Sequence, residues 1–434
     1  MSYYNLCKNV YSLFGVLFIL GSEYVWYKIT RKYPEMIESL TNRLALINIL
    51  YVKLFQAFAI DNNIIDEEIN SKLIKYTDNV TWNDEDINYT DLINVANKYK
   101  LDLNRTNNKP INSGMISLVF KIPKVNSDEC MIIKLKRKDI DKKLNSAIEQ
   151  VLFIVCILSY IPSLKYLQIY EVIEKNIESL RKQTNFIEEI ENMELVRRNC
   201  NRMKYVTIPK VYKEVTEEFQ NVIMMDYIKG ERITNIKEED YKEYAKLVVK
   251  FGLVTYIMHG STHGDLHSGN ILFIEDENRK KKIGILDFGI IYKYEEKFKC
   301  DMFNLLTSIN EMENIEIVKT VFKITVEPEN ALEILPKDDY NKLLDISIGM
   351  LNETLKNKKM ANQYQLFKFL SIMKEYLSKK ELSKLGIKLK DDFVKSQMFV
   401  AMAHGVTIKL CKQENLLEII EECINEIFKP TLLL

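Results

Sequence analysis

A chain of 434 residues exceeds one small core, so two lobes or domains are expected. Apolar residues make up 47% and charged residues 28%, the balance of an ordinary globular protein. Lys+Arg and Asp+Glu both number 61, which removes the electrostatic argument for a nucleic-acid partner.

The first element is the apolar run "VYSLFGVLFILGSEYVWY" at 10–27. Its uninterrupted core, Leu13 to Leu20, is short, Glu23 breaks it, and Lys28, Arg31 and Lys32 follow. A full span needs about 20 apolar residues. Two readings follow: a membrane-associating or single-span helix, or a buried or amphipathic helix packed on the main body. The basic flank suits an anionic membrane surface in either case. Only Lys8 precedes the run and no cleavage site follows it, so a secretory signal is not expected.

Residues 33–76 carry apolar positions at three- and four-residue spacing and predict helix. Polar residues dominate 77–109, with a short helix between linkers. From Pro110 the pattern becomes β-rich: "GMISLVFKI" alternates, and "CMIIKLK" at 130–136 is a second strand after a turn at Asn126-Ser127-Asp128. Helical periodicity returns over 140–200, with a break at Pro162. Strands are expected at 209–215 and 221–228, then Gly230, a helix over 238–260, and a hairpin of 270–276 with 282–289. Beyond about 295 only helix and loop are expected, with "FVAMAHGV" at 399–406 in the core. The seven cysteines are scattered and odd in number, which suits a reduced, intracellular compartment.

This order, a β-rich small lobe and then an α-rich large lobe, has a protein-kinase-like outline. Phosphoryl transfer needs positioned phosphates, a metal and one orienting carboxylate. Lys134 in "MIIKLK" is a charge among apolar neighbours and wants a partner. Glu188, Glu189, Glu191 and Glu194 compete for that part on the helix that follows. Asp265 and Asn270 in "HGDLHSGN" have the D-x-x-x-x-N spacing of a catalytic loop, in which the aspartate orients a hydroxyl and the asparagine holds metal. Asp287 in "ILDFG" follows 17 residues after Asn270, and its carboxylate can take Mg2+, which accepts hard oxygen ligands. His259, His263 and His267 could instead form a zinc face at helical spacing. Gly260 and Gly264 interrupt that face, so His263 is read as a hydrogen-bonding group of the loop. After Gly289 the chain runs straight into helix with no APE element, which disfavours a peptide substrate and favours a small or membrane-bound one.

Across most of 45–300 the chain resembles the UbiB / AarF-domain kinase-like family, atypical kinases associated with coenzyme Q biosynthesis. "HGDLHSGNILF" is similar to that family's HGDLHPGN loop, with Ser268 in place of proline. "YVKLFQAFA" (51–59) resembles its KxGQ element and keeps Lys53 and Gln56, with Phe55 in place of glycine. "PINSGMISLVFK" resembles its Ala-rich nucleotide loop, with Asn112, Ser113 and Gly114 in place of the alanines. "NFIEEIEN" resembles the motif whose glutamate pairs with the ATP lysine and selects Glu189, while Gln183-Thr184-Asn185 replace an E-x-D element just before it. The resemblance implies an α+β bilobal fold with an N-terminal helical extension, ATP and Mg2+ as cofactors, and Asp265 as catalytic residue. It places Asn270 and Asp287 on the metal, and Lys134, Glu189, Asn112, Ser113, Gly114, Met225, Lys53 and Gln56 around the nucleotide.

The expected organisation is a membrane-proximal helix at 1–40 and a KxGQ-like extension at 41–109. The small lobe follows at 110–229 with a helical insertion at 140–183, and the large lobe at 230–434. The expected function is an atypical kinase or ATPase working on a lipid, isoprenoid or other small molecule near a membrane surface. A nucleotide-binding pseudokinase scaffold and a protein kinase with relaxed autoinhibition are the alternatives. A choline- or aminoglycoside-type phosphotransferase is disfavoured, because its metal aspartate sits in IDxE or IDW rather than DFG.

Overall fold

In the computed structural model the described residues are 3–48, 50–51, 80, 82–106, 109–158, 177, 181–308, 311–356, 385–411 and 416–428. The chain divides into two units, Met1–Leu195 with Pro209–Tyr227, and Val196–Ile208 with Ile228–Leu434. The KxGQ-like element, with Lys53 and Gln56, and the break at Pro162 lie outside the described residues.

The first unit is built on an antiparallel sheet of four strands in the order β1 (Asn112–Ser113), β2 (Ser117–Pro123), β3 (Cys130–Lys136) and β5 (Val222–Asp226). Alternation in β2 and β3 sorts the side chains onto two faces. On one face Leu118, Phe120, Ile133 and Leu135 meet Leu92, Val95 and Ala96 of α3 (Tyr89–Lys98), whose i, i+3, i+4 spacing makes one apolar stripe. The β2–β3 turn is set by Asn126, at φ +59°, a left-handed position that asparagine tolerates.

The strand expected at 209–215 is not formed. Val211 makes one bridge to Met225, and the chain then turns into helix α6 (Lys213–Glu218). Val215 is buried from that helix, and Glu214, Glu217 and Glu218 favour helix over strand.

Two helices, α1 (Tyr3–Thr30) and α2 (Tyr33–Ile47), form a hairpin whose first member also packs on α4 (Ile140–Leu158). The buried stripe of α1 is Asn9, Ser12, Val16, Ile19 and Glu23, and much of it is polar. Glu23, which interrupts the apolar run, lies within the continuous helix. It turns inward to Arg43 at 2.7 Å, and Ser39 donates to it at 2.7 Å. Ser12 donates to Gln150, and Asn48 donates to Gln150 and to the Ala147 carbonyl. The opposite face is apolar and exposed, with Tyr11 at 82%, Phe14 at 65% and Phe18 at 70%.

The second unit begins with β4 (Val206–Thr207), which runs parallel to β8 (Lys281–Ile285) and so extends the β7 (Ile271–Glu275)–β8 hairpin. β8 ends at Ile285, short of the expected 289, so the DFG triplet lies beyond the strand. Helix α7 (Tyr241–Leu253) continues through a π-type turn at Val254–Met258 to His259. Two further strand pairs escape the sequence patterns. β6 (Ser261–His263) pairs with β9 (Ile291–Lys293), and β10 (Val326–Glu327) pairs with β11 (Lys388–Leu389). Each strand is too short to show alternation, and its partner is distant in sequence. Helices make up the remainder: α8 (Glu296–Ser308), α9 (Asn314–Thr325), α10 (Ala331–Ile334), α11 (Lys337–Lys356), α12 (Asp391–Leu410) and α13 (Leu416–Phe428). Phe399 and Val406, from the stretch expected in the core, are buried.

Candidate functional site

In the first unit, Lys134 stands on the face of the sheet opposite the α3 core. It is paired across the ladders with Val119 and Ile223, and Met225 lies on the same face, opposite Ile132. The Lys134 ammonium donates to Glu189 at 2.5 Å, and the two side chains are 12% and 2% exposed. Glu189 comes from α5 (Phe186–Asn199), where Glu188, Glu191 and Glu194 are all more exposed. Asn185 caps that helix, accepting from the Ile187 and Glu188 N–H groups at 3.2 and 3.3 Å. Asn112, Ser113 and Gly114 open the β1–β2 turn, whose far end, Ser117, stands two ladder rungs from Val119–Lys134. Gly114 is in no left-handed conformation, and a Cβ there would meet only the Ser117 carbonyl, at 3.5 Å.

In the second unit, Asp265, Asn270 and Asp287 come together through one histidine. The His263 Nδ1 accepts from the Asp265 N–H at 3.2 Å, and its Nε2 bonds the Asp287 carbonyl. Accepting at one nitrogen and donating at the other requires the neutral ring. Burial, the largest influence on this imidazole, pushes its pKa below the usual value, against the pull of Asp287 and Asp265. The ring also packs on Phe288, centroids 5.5 Å apart. Asn270 spends its Nδ2 on the Asp265 carbonyl at 2.9 Å, so its other polar atom is an oxygen, the donor type a hard cation takes. One Asp287 oxygen accepts from the Gly289 N–H at 2.9 Å. The three histidines share no helical face, since His259 ends the helix, His263 is on β6 and His267 precedes the 3-10 turn Ser268–Asn270.

The sequence patterns missed two groups that hold this loop. Arg232 donates to the Gly269 carbonyl, and no local pattern marks an arginine whose partner lies 37 residues on. Gly264 accepts no side chain, because a Cβ would fall 2.3 Å from Ile290. The signal for it was present: a small residue directly before the loop aspartate.

Among the described residues no trio of His, Cys, Asp or Glu is gathered to hold a cation unaided. One carboxylate and one amide oxygen fit Mg2+ instead, which keeps waters and phosphate oxygens in its shell. A strand lysine paired to a helix glutamate can grip phosphate, and a loop carboxylate can orient a hydroxyl.

A unit built on a four-stranded sheet with helices and a second, mostly helical unit, each carrying part of these groups, form a kinase-like α+β bilobal fold. The model of the ABC1 atypical kinase-like domain matches residues 92–321, more than half of the chain, and the chain belongs to that family. The probable serine/threonine-protein kinase abkD of Dictyostelium discoideum is 23% identical over 62% of this chain and 39% of its own length. The probable protein kinase UbiB of Blochmanniella pennsylvanica is 28% identical over 33% of this chain and 27% of its own length. The AarF domain-containing kinase 1 of Drosophila melanogaster is 25% identical over 33% of this chain and 28% of its own. The chain thus spans well under half of these relatives. Among solved structures, the Rv3197–erythromycin complex from Mycobacterium tuberculosis matches with a TM-score of 0.50 at 14% identity, over 91% of this chain and 97% of that one. That likeness is one of fold.

Proposed function

We propose that this protein binds ATP with Mg2+ and transfers or hydrolyses its terminal phosphoryl group. The observation that carries the reading is the His263 link, which fixes Asp265 and Asp287 in one loop cluster together with Asn270. Lys134, held by Glu189, binds phosphate oxygens, with Asn112, Ser113 and Gly114 in the covering loop and Met225 on the same sheet face. Asp265 accepts the hydrogen bond of the attacking hydroxyl and orients it. Asp287 and Asn270 would hold Mg2+, which supplies charge neutralisation on the phosphate oxygens when bound. Lys53 and Gln56 are assigned to the same nucleotide by resemblance.

The acceptor in this reading is a small or lipid molecule. Only the short strand β9 separates Gly289 from helix α8, which leaves no long segment for docking a peptide. Membrane proximity is supported by α1, in which Cys7–Thr30 is long and apolar enough to cross a bilayer and only 22% of its most apolar window is buried. Polar groups turned inward and aromatic ones outward suit a lipid surface better than water.

The test is Mg-ATP binding by calorimetry and ATP turnover, with and without lipid vesicles. The wild type should bind and turn over ATP, and Asp287→Asn should lose Mg-dependent binding and at least about a hundredfold of turnover. An Asp287→Asn protein that retains both would overturn the assignment. Binding without any turnover would favour the scaffold reading.

A further inference from the structure

We propose that Arg137 is a positioning residue that ties Val80 and Asp86 to the nucleotide-covering loop Ser113–Ser117, so that the Asp86–Arg137 pair sets nucleotide affinity. The inference rests on the nucleotide reading of that loop and adds a device that regulates it.

Arg137 directly follows β3 and is only 5% exposed, yet the strand alternation that places Lys134 gives it no role. Its guanidinium donates in two directions. Toward the loop, Nε reaches the Gly114 carbonyl at 3.0 Å and Nη2 reaches the Ser113 hydroxyl at 2.7 Å. Toward the preceding segment, Nη1 reaches Asp86 Oδ2 at 2.7 Å and Nη2 the Val80 carbonyl at 3.3 Å. Its own N–H closes the far side of the loop on the Ile116 carbonyl at 2.9 Å. The segment and the loop also bond directly. Val80 N–H donates to the Ser113 carbonyl at 2.8 Å, and the Ser113 hydroxyl donates to the Val80 carbonyl at 2.6 Å.

One planar cation therefore serves four acceptors on two chain segments, which lysine cannot do with a single rotating ammonium. Asp86 is fixed in turn: its Oδ1 takes Lys143 at 3.1 Å and its carbonyl accepts from the Lys138 N–H at 2.8 Å. The loop ends two rungs from Lys134. A shift of Asp86 is thus passed through the guanidinium to the backbone of the loop that would cover the phosphates.

The test uses the full chain with Mg-ATP and Mg-ADP as probes. Asp86→Asn is the main variant, because Asp86 is outside the loop and, among the described residues, is linked to it through Arg137. It should weaken binding of both nucleotides about tenfold, the size of one charge-assisted hydrogen bond, and speed amide exchange at 113–117. Lys143→Met, which removes the exposed partner of Asp86 and leaves its bonds to Arg137 and the Lys138 N–H, should weaken binding less than Asp86→Asn does. Arg137→Lys should weaken binding at least as much as Asp86→Asn, and it serves alone if Asp86→Asn does not fold. The inference is overturned if exchange at 113–117 rises while affinity stays at the wild-type value, or if neither changes. A wild type that binds neither nucleotide sinks the functional reading and this inference together. A wild type that binds, beside variants that bind equally well, sinks the inference alone.

Discussion

Two neighbours in the Asp265 loop respond in opposite senses to a single added group. Gly264 has Ile290 at 2.3 Å and Tyr292 at 2.9 Å from where a Cβ would stand, so Gly264→Ala should cost about 1–3 kcal/mol by overpacking. Ser268 opens a 3-10 turn, where an N–H has no intrahelical acceptor, and His267 before it is extended, at φ −94° and ψ 169°. Ser268→Pro should therefore be accommodated and should stabilise by about 0.4–1 kcal/mol. Urea denaturation of the two variants checks both signs. The histidines add a pH dependence. Burial lowers the pKa of His263 and of His259, so below the unfolded value of about 6.5 the unfolded chain holds more protons than the folded one. Stability should be full above that pH and should fall as pH drops toward the folded values. Denaturation midpoints between pH 7.5 and 5.5 should show this fall, and His263→Asn should flatten it in part, leaving the share of His259. Asp265, Asn270 and Asp287 were legible in the sequence because their spacing is local and tied to residue type. Glu189 was legible only through resemblance, since four glutamates share its helix and burial alone separates them.

Among elements, β3 was legible to the residue at 130–136, because one buried face forces strict alternation. The stretch at 209–215 misled for the converse reason. Its apolar positions satisfy a strand on paper, and only the packing of Val215 shows a helix. β6 and β9 are three residues each, and their register joins positions about thirty apart, which no local window reports. The replacement of an E-x-D element by Gln183-Thr184-Asn185 gains a local reason, since Asn185 caps α5. Asn185→Ala should cost about 1 kcal/mol of stability and lower the occupancy of the Lys134–Glu189 pair, read by denaturation and by nucleotide affinity.

For the whole molecule, α1 turns Val16 and Ile19 together with the polar Asn9, Ser12 and Glu23 toward its own unit, and it leaves a broad apolar face, with Tyr11, Phe14 and Phe18, exposed. Length and hydropathy were legible in the sequence. The inward turn of Glu23 was not, because Arg43 and Ser39 reach it only after the helices pair. If this face meets lipid, Phe14→Ser with Phe18→Ser should weaken co-sedimentation with anionic vesicles by about 1.5–3 kcal/mol per side chain. Raised salt should weaken it further by screening Lys28, Arg31 and Lys32. Unchanged sedimentation would set the helix against a protein partner.

The pairing of β6 with β9 has a consequence for how the chain assembles and how it can change. Ser261 and Lys293 close a single loop, and Asp265, Asn270 and Asp287 all lie inside it. The Lys134–Glu189 pair, by contrast, joins residues 55 apart across a separate helix. Loop-closure entropy grows only slowly with length, by about 0.6 kcal/mol per doubling, yet a contact with nearby partners can also form before the rest of the chain has been arranged. The carboxylate cluster is thus a sequence-local cassette. Insertions elsewhere along the chain can lengthen or reshape a lobe and leave its closure untouched.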